Sequence, residues 1–411
     1  MNAKPILPNN TNILELSIVN GHSHNKNNQT LHLNSKQVDY SKQGWEQRIA
    51  HDWTFFDIPA AEGRLLIIDI SKSAANELPT YRYLANDNTQ NQLYEPWSSS
   101  KIFAYTGAMA QLRKLGLSSN GSIGEHNIAD MITSINSYEP FGKADGNSNA
   151  LATFFANLAT RDYLTDLFYD NWLNLSTPNI YFRGAYGPSA FEPLSYTFNH
   201  AINTIASNPS TIELNMNNIA TDDPGYLPYR CEKCGLTGNK PMTTLAQAEW
   251  LKRLAMHQSD PVTAHPELAQ EDILNLFYGK DNSQKSPLAG MTSGISNMLQ
   301  MAIASNISDT EINDTTEAKI ALDTHYDGKW RVFQKIGWGP SETRSTSENV
   351  VLAYVSLPHP HDPKQSRSFV VAAQVAVPEA SEANVTKAGQ KMQTLLNRGI
   401  ARYMQLFDIY F

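Results

Sequence analysis

The sequence is poor in cysteine, in charge and in long apolar runs. Its 411 residues include only two cysteines, and 18% of them are charged. No apolar run approaches the roughly 20 residues that span a bilayer, so we expect no transmembrane segment. Acidic and basic residues are interspersed around a net charge of −8, with no Lys/Arg cluster, which argues against a nucleic-acid partner. The 41% of hydrophobic residues is typical of a soluble globular protein with a sizeable core.

The two cysteines, Cys231 and Cys234, form the segment Cys-Glu-Lys-Cys-Gly. This spacing resembles half of a zinc knuckle, but no second pair is present to complete four ligands, so we predict no metal site. No strand pattern leads into the segment, which argues against a redox site of the thioredoxin type. We prefer a local disulfide in a loop to two free thiols.

The N-terminal stretch Met1–Pro5 lacks the apolar core of a signal peptide. We therefore expect a cytoplasmic protein, or a periplasmic or secreted one if a leader has been removed.

Apolar patterning predicts strands near both ends of the chain and helices between them. A continuous apolar run at Arg64–Ile70 indicates a buried strand, and Pro79–Leu84 a second. From Ser98 to about Thr315 the apolar spacing is mostly helical. After Thr315 the sequence predicts three strands and then a helix from about Asn384 that carries one apolar stripe. The three strands are Trp330–Gly337, Asn349–Leu357 and Ser368–Val377.

This order predicts an α+β fold in which strands from both chain ends form one antiparallel sheet flanked by helices, beside a large all-helical lobe. We expect an N-terminal extension at 1–60, an α/β lobe formed by 61–97 and 316–411, and a helical lobe at 98–315 with a long loop at 183–241. A cleft between the two lobes is a favoured place for a site.

Ser98 and Lys101 stand three residues apart where the helical stretch begins. On a helix this spacing puts both side chains on one face, so the amine can reach the hydroxyl. A serine becomes a useful nucleophile when a neutral amine takes its proton. The alternative is a polar helix start in which the serines are caps.

A Ser-x-x-Lys that opens a helical insert, followed much later by a Lys-x-Gly strand, resembles the serine β-lactamase and penicillin-binding protein superfamily, and most closely its class A β-lactamases. In that family the strand motif is Lys-Thr/Ser-Gly. Here Lys335, Gly337 and Trp338 lie in the matching position. The resemblance implies that Lys335 binds a substrate carboxylate and that Gly337 lets the substrate backbone lie along the strand. Ile336 replaces the usual hydroxyl residue.

The family's middle motif is Ser-x-Asn or Tyr-x-Asn at the start of a helix. The best match is Asn147-Ser148-Asn149, which implies that Asn149 holds the substrate amide and Lys101. Asn147 stands in the place of the proton-relaying serine, where a carboxamide is a poor relay. Ser148 substitutes for it if the register shifts by one residue. A rival triplet, Ser134–Asn136, fits the pattern literally but is predicted to be buried in a helix.

Class A β-lactamases also carry a loop glutamate that activates the deacylating water. Glu213 and Glu192 are the candidates, and neither matches the family's register. Without such a base, an acyl-enzyme would persist, as in penicillin-binding proteins.

The resemblance therefore implies a serine hydrolase in which Ser98 attacks a β-lactam or a D-alanyl peptide, with Lys101 as general base. The backbone N–H groups of Ser98 and Trp338 would form the oxyanion hole. The implied substrate is a small molecule or a peptidoglycan peptide, and the resemblance implies no metal and no cofactor. Two alternatives share the fold: an esterase or amidase on another substrate, and a catalytically silent binding protein. A third is an unrelated α+β protein.

Overall fold

The computed structural model describes residues 4–10, 32–71, 77–187, 191, 197–200, 210–213, 240–279, 289–362 and 366–408. The chain folds into an α+β architecture, as the sequence predicts. Its strands are β1 (Leu33–Asn34), β2 (Asp52–Phe56), β3 (Arg64–Ser71), β4 (Thr80–Asn86), β5 (Ser122–Ile123), β6 (His126–Asn127), β7 (Thr197–His200), β8 (Ser210–Glu213), β9 (Arg331–Ser341), β10 (Thr346–Leu357) and β11 (Arg367–Pro378).

The helices lie mostly between β4 and β9, in the order expected. They are α1 (Ser35–Val38), α2 (Lys101–Lys114), α3 (Ile128–Ser137), α4 (Ser148–Ala159), α5 (Arg161–Asp166), α6 (Thr244–Ala255), α7 (Gln270–Tyr278), α8 (Met298–Ile307), α9 (Thr315–Tyr326) and α10 (Glu382–Asp408). Within the described residues, no helix is both long enough and apolar enough to cross a bilayer.

A seven-stranded sheet joins the two ends of the chain. Its strand order is β1-β4-β3-β11-β10-β9, and β2 pairs with β4. Every pairing is antiparallel except that of β2 with β4. The N-terminal extension therefore supplies strands to the main sheet. Strand β9, which carries the Lys-x-Gly motif, lies at one edge of this sheet.

Side chains of the central strands alternate between two cores, because successive residues of a strand point to opposite faces. In β3, Leu66 and Ile68 face a core shared with the helical lobe. Leu65 and Ile67 face a second core that includes residues of α8, α9 and α10. This alternation explains why the run at Arg64–Ile70 is apolar throughout: the strand is buried on both faces.

Two features differ from the sequence prediction. The helical lobe carries a small four-stranded sheet, β6-β5-β7-β8, so it is not all-helical. Its strands are only two to four residues long, too short to show a periodic pattern. Within the stretch predicted to be mostly helical, the chain also breaks at Thr160, whose φ of +68° separates α4 from α5. Cys231 and Cys234 lie outside the described residues.

Candidate active site

Ser98 lies in a turn of 3-10 helix, Trp97–Ser100, that leads directly into α2. The turn is closed by the backbone N–H of Ser99, which donates to the Pro96 carbonyl at 3.1 Å. Ser98 is half-buried, whereas Lys101, the first residue of α2, is fully buried. The motif therefore places a partly accessible hydroxyl and an enclosed amine at one helix start.

The Lys101 amine is held by two residues at the start of α4. Its Nζ lies 2.9 Å from Ser148 Oγ and 2.6 Å from Asn149 Oδ1. The Ser148 hydroxyl also donates to the Ile135 carbonyl at 2.7 Å. Asn147 is the N-cap of α4, and its side chain accepts from the Ala150 N–H at 3.1 Å. Ser148, rather than Asn147, thus occupies the position beside the amine that the one-residue shift allows.

Tyr138 connects Ser98 to this cluster and was missed by the sequence analysis. Its hydroxyl lies close enough to the hydroxyls of Ser98 and Ser148 for both to act on its pKa. Burial raises the pKa of Tyr138 to about 12, although the two serines lower it. The phenol is therefore neutral near pH 7. Tyr138 is the C-cap of α3, with a φ of +59°, and no short motif marks such a position.

Three lysines gather around two tyrosine rings. The amines of Lys101 and Lys335 lie 4.9 and 3.9 Å from the centroid of the Tyr138 ring. Lys101 and Lys240 lie 5.5 and 4.3 Å from the Tyr186 ring. Cation–π contacts of this kind stabilise a buried ammonium by about 0.5–2 kcal/mol. No local pattern marks Lys240 or Tyr186, because they approach Lys101 only in the folded chain.

Burial lowers the pKa of Lys101 well below its ordinary value, and the charges of Lys335 and Lys240 lower it further. Burial also lowers the pKa of Lys335 well below its ordinary value. Within the described residues, Lys335 Nζ is buried and has no hydrogen-bond partner. An amine in such surroundings loses its proton readily, which is what a general base requires.

The strand β9 runs directly beside the turn that carries Ser98. A Cβ added to Gly337 would lie 2.8 Å from Ser98 N and 2.4 Å from the Pro96 carbonyl oxygen. Only glycine allows this close approach of two backbones. Trp338 follows on the strand, and its ring lies 5.8 Å from that of Tyr138. The backbones of Ser98 and Trp338 are thereby brought to the same side of the site.

Ile336 belongs to the second core, together with residues of α8, α9 and α10. Because neighbouring residues of a strand alternate in direction, its side chain points away from that of Lys335. A hydroxyl residue at this position in the same orientation would not reach the site.

The rival triplet Ser134–Asn136 is not part of this cluster. Ser134 donates to the Glu139 carbonyl at 2.9 Å, and Asn136 donates to the Ile132 carbonyl at 3.1 Å, so both serve the structure around α3. Glu213 lies in β8, where it pairs with Thr197. Glu192 lies outside the described residues. In the part of the chain that the structure describes, no group of three or more His, Cys, Asp or Glu residues could hold a metal ion.

Comparison with known proteins finds solved structures only. No protein-family model matches the chain, and no curated protein matches it. A β-lactamase from Streptosporangium roseum is 10% identical, with a TM-score of 0.42, over 84% of this chain and 95% of that one. A class A β-lactamase from Bacteroides cellulosilyticus is 8% identical, with a TM-score of 0.42, over 93% and 99%. A mutant of PBP-A in an acyl-enzyme complex with penicillin G is 10% identical, with a TM-score of 0.41, over 92% and 97%.

These structures come from the superfamily that the Ser-x-x-Lys and Lys-x-Gly motifs resemble. Because all three TM-scores are below 0.5, the activity has to be inferred from this chain's own residues.

Proposed function

We propose that the protein is a serine hydrolase that forms an acyl-enzyme at Ser98 with β-lactams or D-alanyl peptides. The observation that carries this proposal is the connected set of hydroxyl and amine groups around Ser98. Tyr138 contacts Ser98 and Ser148, and Ser148 contacts the buried Lys101 amine. A serine connected in this way to a neutral amine has a route for its proton.

The route has three transfers. As Ser98 Oγ attacks the carbonyl carbon, its proton passes to the Tyr138 oxygen and the Tyr138 proton passes to Ser148. The Ser148 hydroxyl, which donates to the Ile135 carbonyl in the resting site, turns and gives its own proton to the lone pair of Lys101. In this route Lys101 does not take the Ser98 proton directly, because the described hydrogen bonds of Lys101 Nζ are made with Ser148 and Asn149. Protonated Lys101 then returns a proton along the same route to the leaving nitrogen when the tetrahedral intermediate collapses.

The other groups of the site supply binding. The backbone N–H groups of Ser98 and Trp338 would donate to the oxyanion, in the manner of preorganised donors at other acyl-transfer sites. Lys335 would take up a proton and pair with a substrate carboxylate, because its buried amine has no hydrogen-bond partner among the described residues. Asn149 is exposed and anchors Lys101, so its amide nitrogen is available to a substrate amide.

Release of the acyl group would be slow. The charged groups that shift the pKa of Lys101 are two further lysines, Lys335 and Lys240. Among the described residues, no carboxylate hydrogen-bonds Lys101. Where a deacylating water is activated by a carboxylate, that base has to lie beside the acyl group, and no described contact of Lys101 supplies one. We therefore favour a persistent acyl-enzyme, as in a penicillin-binding protein, over rapid turnover of β-lactams.

The test is the intact mass of the wild-type protein and of Ser98→Ala after incubation with penicillin G. We expect a stable adduct on the wild type and none on Ser98→Ala. Consumption of the drug without a lasting adduct, lost in Ser98→Ala, would indicate a true β-lactamase. Neither adduct nor consumption would contradict the proposal and favour an esterase, an amidase on another substrate, or a silent binding protein.

A further inference from the structure

Trp97, the residue before Ser98, has a φ of +51°. Bulky residues other than glycine rarely adopt this conformation, and it persists only where surrounding contacts hold it. The strain therefore points to a set of contacts that fix Trp97, and through it the next residue in the chain.

The indole of Trp97 lies flat against Gly339 of β9. A Cβ added to Gly339 would lie 2.6–2.9 Å from three carbon atoms of the indole ring. The indole Nε1–H donates to Glu348 Oε2 at 2.6 Å. Glu348 is the residue of β10 that pairs with Gly339. Two neighbouring strands thus hold the ring, one through its face and one through its N–H.

Glu348 is itself held in place. Its carboxylate accepts Arg344 Nε and Nη2, both at 2.8 Å, and Thr346 Oγ1 at 3.1 Å. Only 3% of the Glu348 surface is exposed. Paired bonds from one guanidinium to one carboxylate fix direction as well as distance. We call Trp97, Glu348 and Arg344 the indole clamp.

We propose that the indole clamp positions the Ser98 nucleophile and its backbone N–H against β9. In this proposal the clamp residues act through Ser98, so they are positioning residues. The hydrogen bonds that hold the indole run to Glu348 and from there to Arg344, and the clamp acts on geometry rather than on proton transfer. The inference rests on the proposed acylation of Ser98.

The matched test removes one indole N–H at a time. Trp97→Phe keeps an aromatic ring but loses the bond to Glu348. Trp330→Phe is the control, because the Nε1–H of Trp330 also donates to a carboxylate, Asp323 Oδ1, at 2.9 Å. Trp330 is buried in the second core, away from Ser98. Glu348→Ala removes the acceptor, and Glu348→Gln keeps an acceptor oxygen.

The rate of adduct formation with penicillin G is measured against drug concentration, which separates the limiting rate from the half-saturating concentration. A displacement of a reacting group by an ångström costs about a hundredfold in rate. We expect Trp97→Phe and Glu348→Ala each to lower the limiting rate about ten- to a hundredfold, with the half-saturating concentration unchanged. Glu348→Gln should recover most of the rate, and Trp330→Phe should match the wild type.

The double variant of Trp97→Phe and Glu348→Ala should be no slower than the slower single variant, since both substitutions break the same contact between the indole N–H and the carboxylate. A wild-type rate in Trp97→Phe overturns the inference, as does a double variant in which the two losses multiply. If Trp97→Phe does not fold by circular dichroism, Glu348→Ala against Glu348→Gln carries the same test. If the wild type itself forms no adduct, the proposed function is wrong, and the inference that depends on it is wrong as well.

Discussion

Replacing Gly337 with alanine forces apart the strand and the turn that together hold Ser98. The new Cβ would lie 2.4 Å from the Pro96 carbonyl oxygen and 2.8 Å from both Ser98 N and Trp97 Cβ. These atoms belong to the backbone or are fixed to it, so no side-chain rotation relieves the contact. Extending the shortest distance from 2.4 Å to 3.0 Å, the shortest that real Cβ contacts show, displaces the two backbones by at least about 0.6 Å.

A displacement of this size acts directly on the proposed oxyanion hole, because its two donors are on the two backbones that separate. We expect the limiting rate of penicillin adduct formation to fall about ten- to a hundredfold. Overpacking should also lower the free energy of unfolding by about 1–3 kcal/mol. The rate is measured by intact mass over time, and stability by thermal unfolding.

Gly63→Ala is the control for loss of stability alone. Its Cβ would lie 2.9 Å from the Gln374 carbonyl oxygen and from Val375 Cγ1, and its φ of +151° adds strain. This position precedes β3 and contacts β11, not the edge strand beside Ser98. We expect a comparable loss of stability with an unchanged rate per folded molecule. A wild-type rate in Gly337→Ala, or an equal slowing in Gly63→Ala, would refute the geometric account.

Three further outcomes follow from the site. Tyr138→Phe keeps the ring beside the lysines but removes the hydroxyl between Ser98 and Ser148. The rate of acylation should fall about a hundred- to ten-thousandfold. A wild-type rate would exclude proton transfer through Tyr138. Lys335→Met should weaken binding of anionic drugs yet raise the free energy of unfolding by about 1–3 kcal/mol. Burial lowers the pKa of Lys335 in the folded protein, so near pH 7 the unfolded chain holds a proton on this amine that the folded chain does not. The stability gained by Lys335→Met should therefore be larger at pH 7 than at pH 10. An equal or opposite trend in denaturant titrations would contradict this. The acylation rate should fall at low pH as Lys101 is protonated and level off well below pH 10.5, because burial and two lysines lower its pKa; a rate still rising at pH 10 would contradict a neutral Lys101.

The elements that the sequence predicts well are those whose pattern is long and local. The apolar run of β3 and the stripe of α10 follow from burial of a strand on two faces and of a helix on one. The spacing of Ser98 and Lys101 could place both at one helix start, but the contacts of the Lys101 amine with Ser148 and Asn149 could not be predicted from it. The Lys-x-Gly motif could be placed because two strands and a helix follow its own strand in order.

Contacts that depend on a single turn, or on distant parts of the chain, could not be predicted. Whether Asn147 or Ser148 meets Lys101 depends on where α4 begins, and helix starts are uncertain by a residue or more from sequence. Tyr138 reaches Ser98 because the chain adopts a left-handed conformation after α3. Lys240 acts on Lys101 although 138 residues separate them in the chain, a relation that no local pattern encodes.

The central claim is that one hydroxyl, that of Ser98, becomes acylated. The most direct measurement digests the protein after incubation with penicillin G and maps the adduct by tandem mass spectrometry. The account predicts the penicilloyl mass on the peptide containing Ser98, with fragment ions that assign it to that residue rather than to Ser99 or Ser100. An adduct on a lysine, on Tyr138 or on another serine would contradict it.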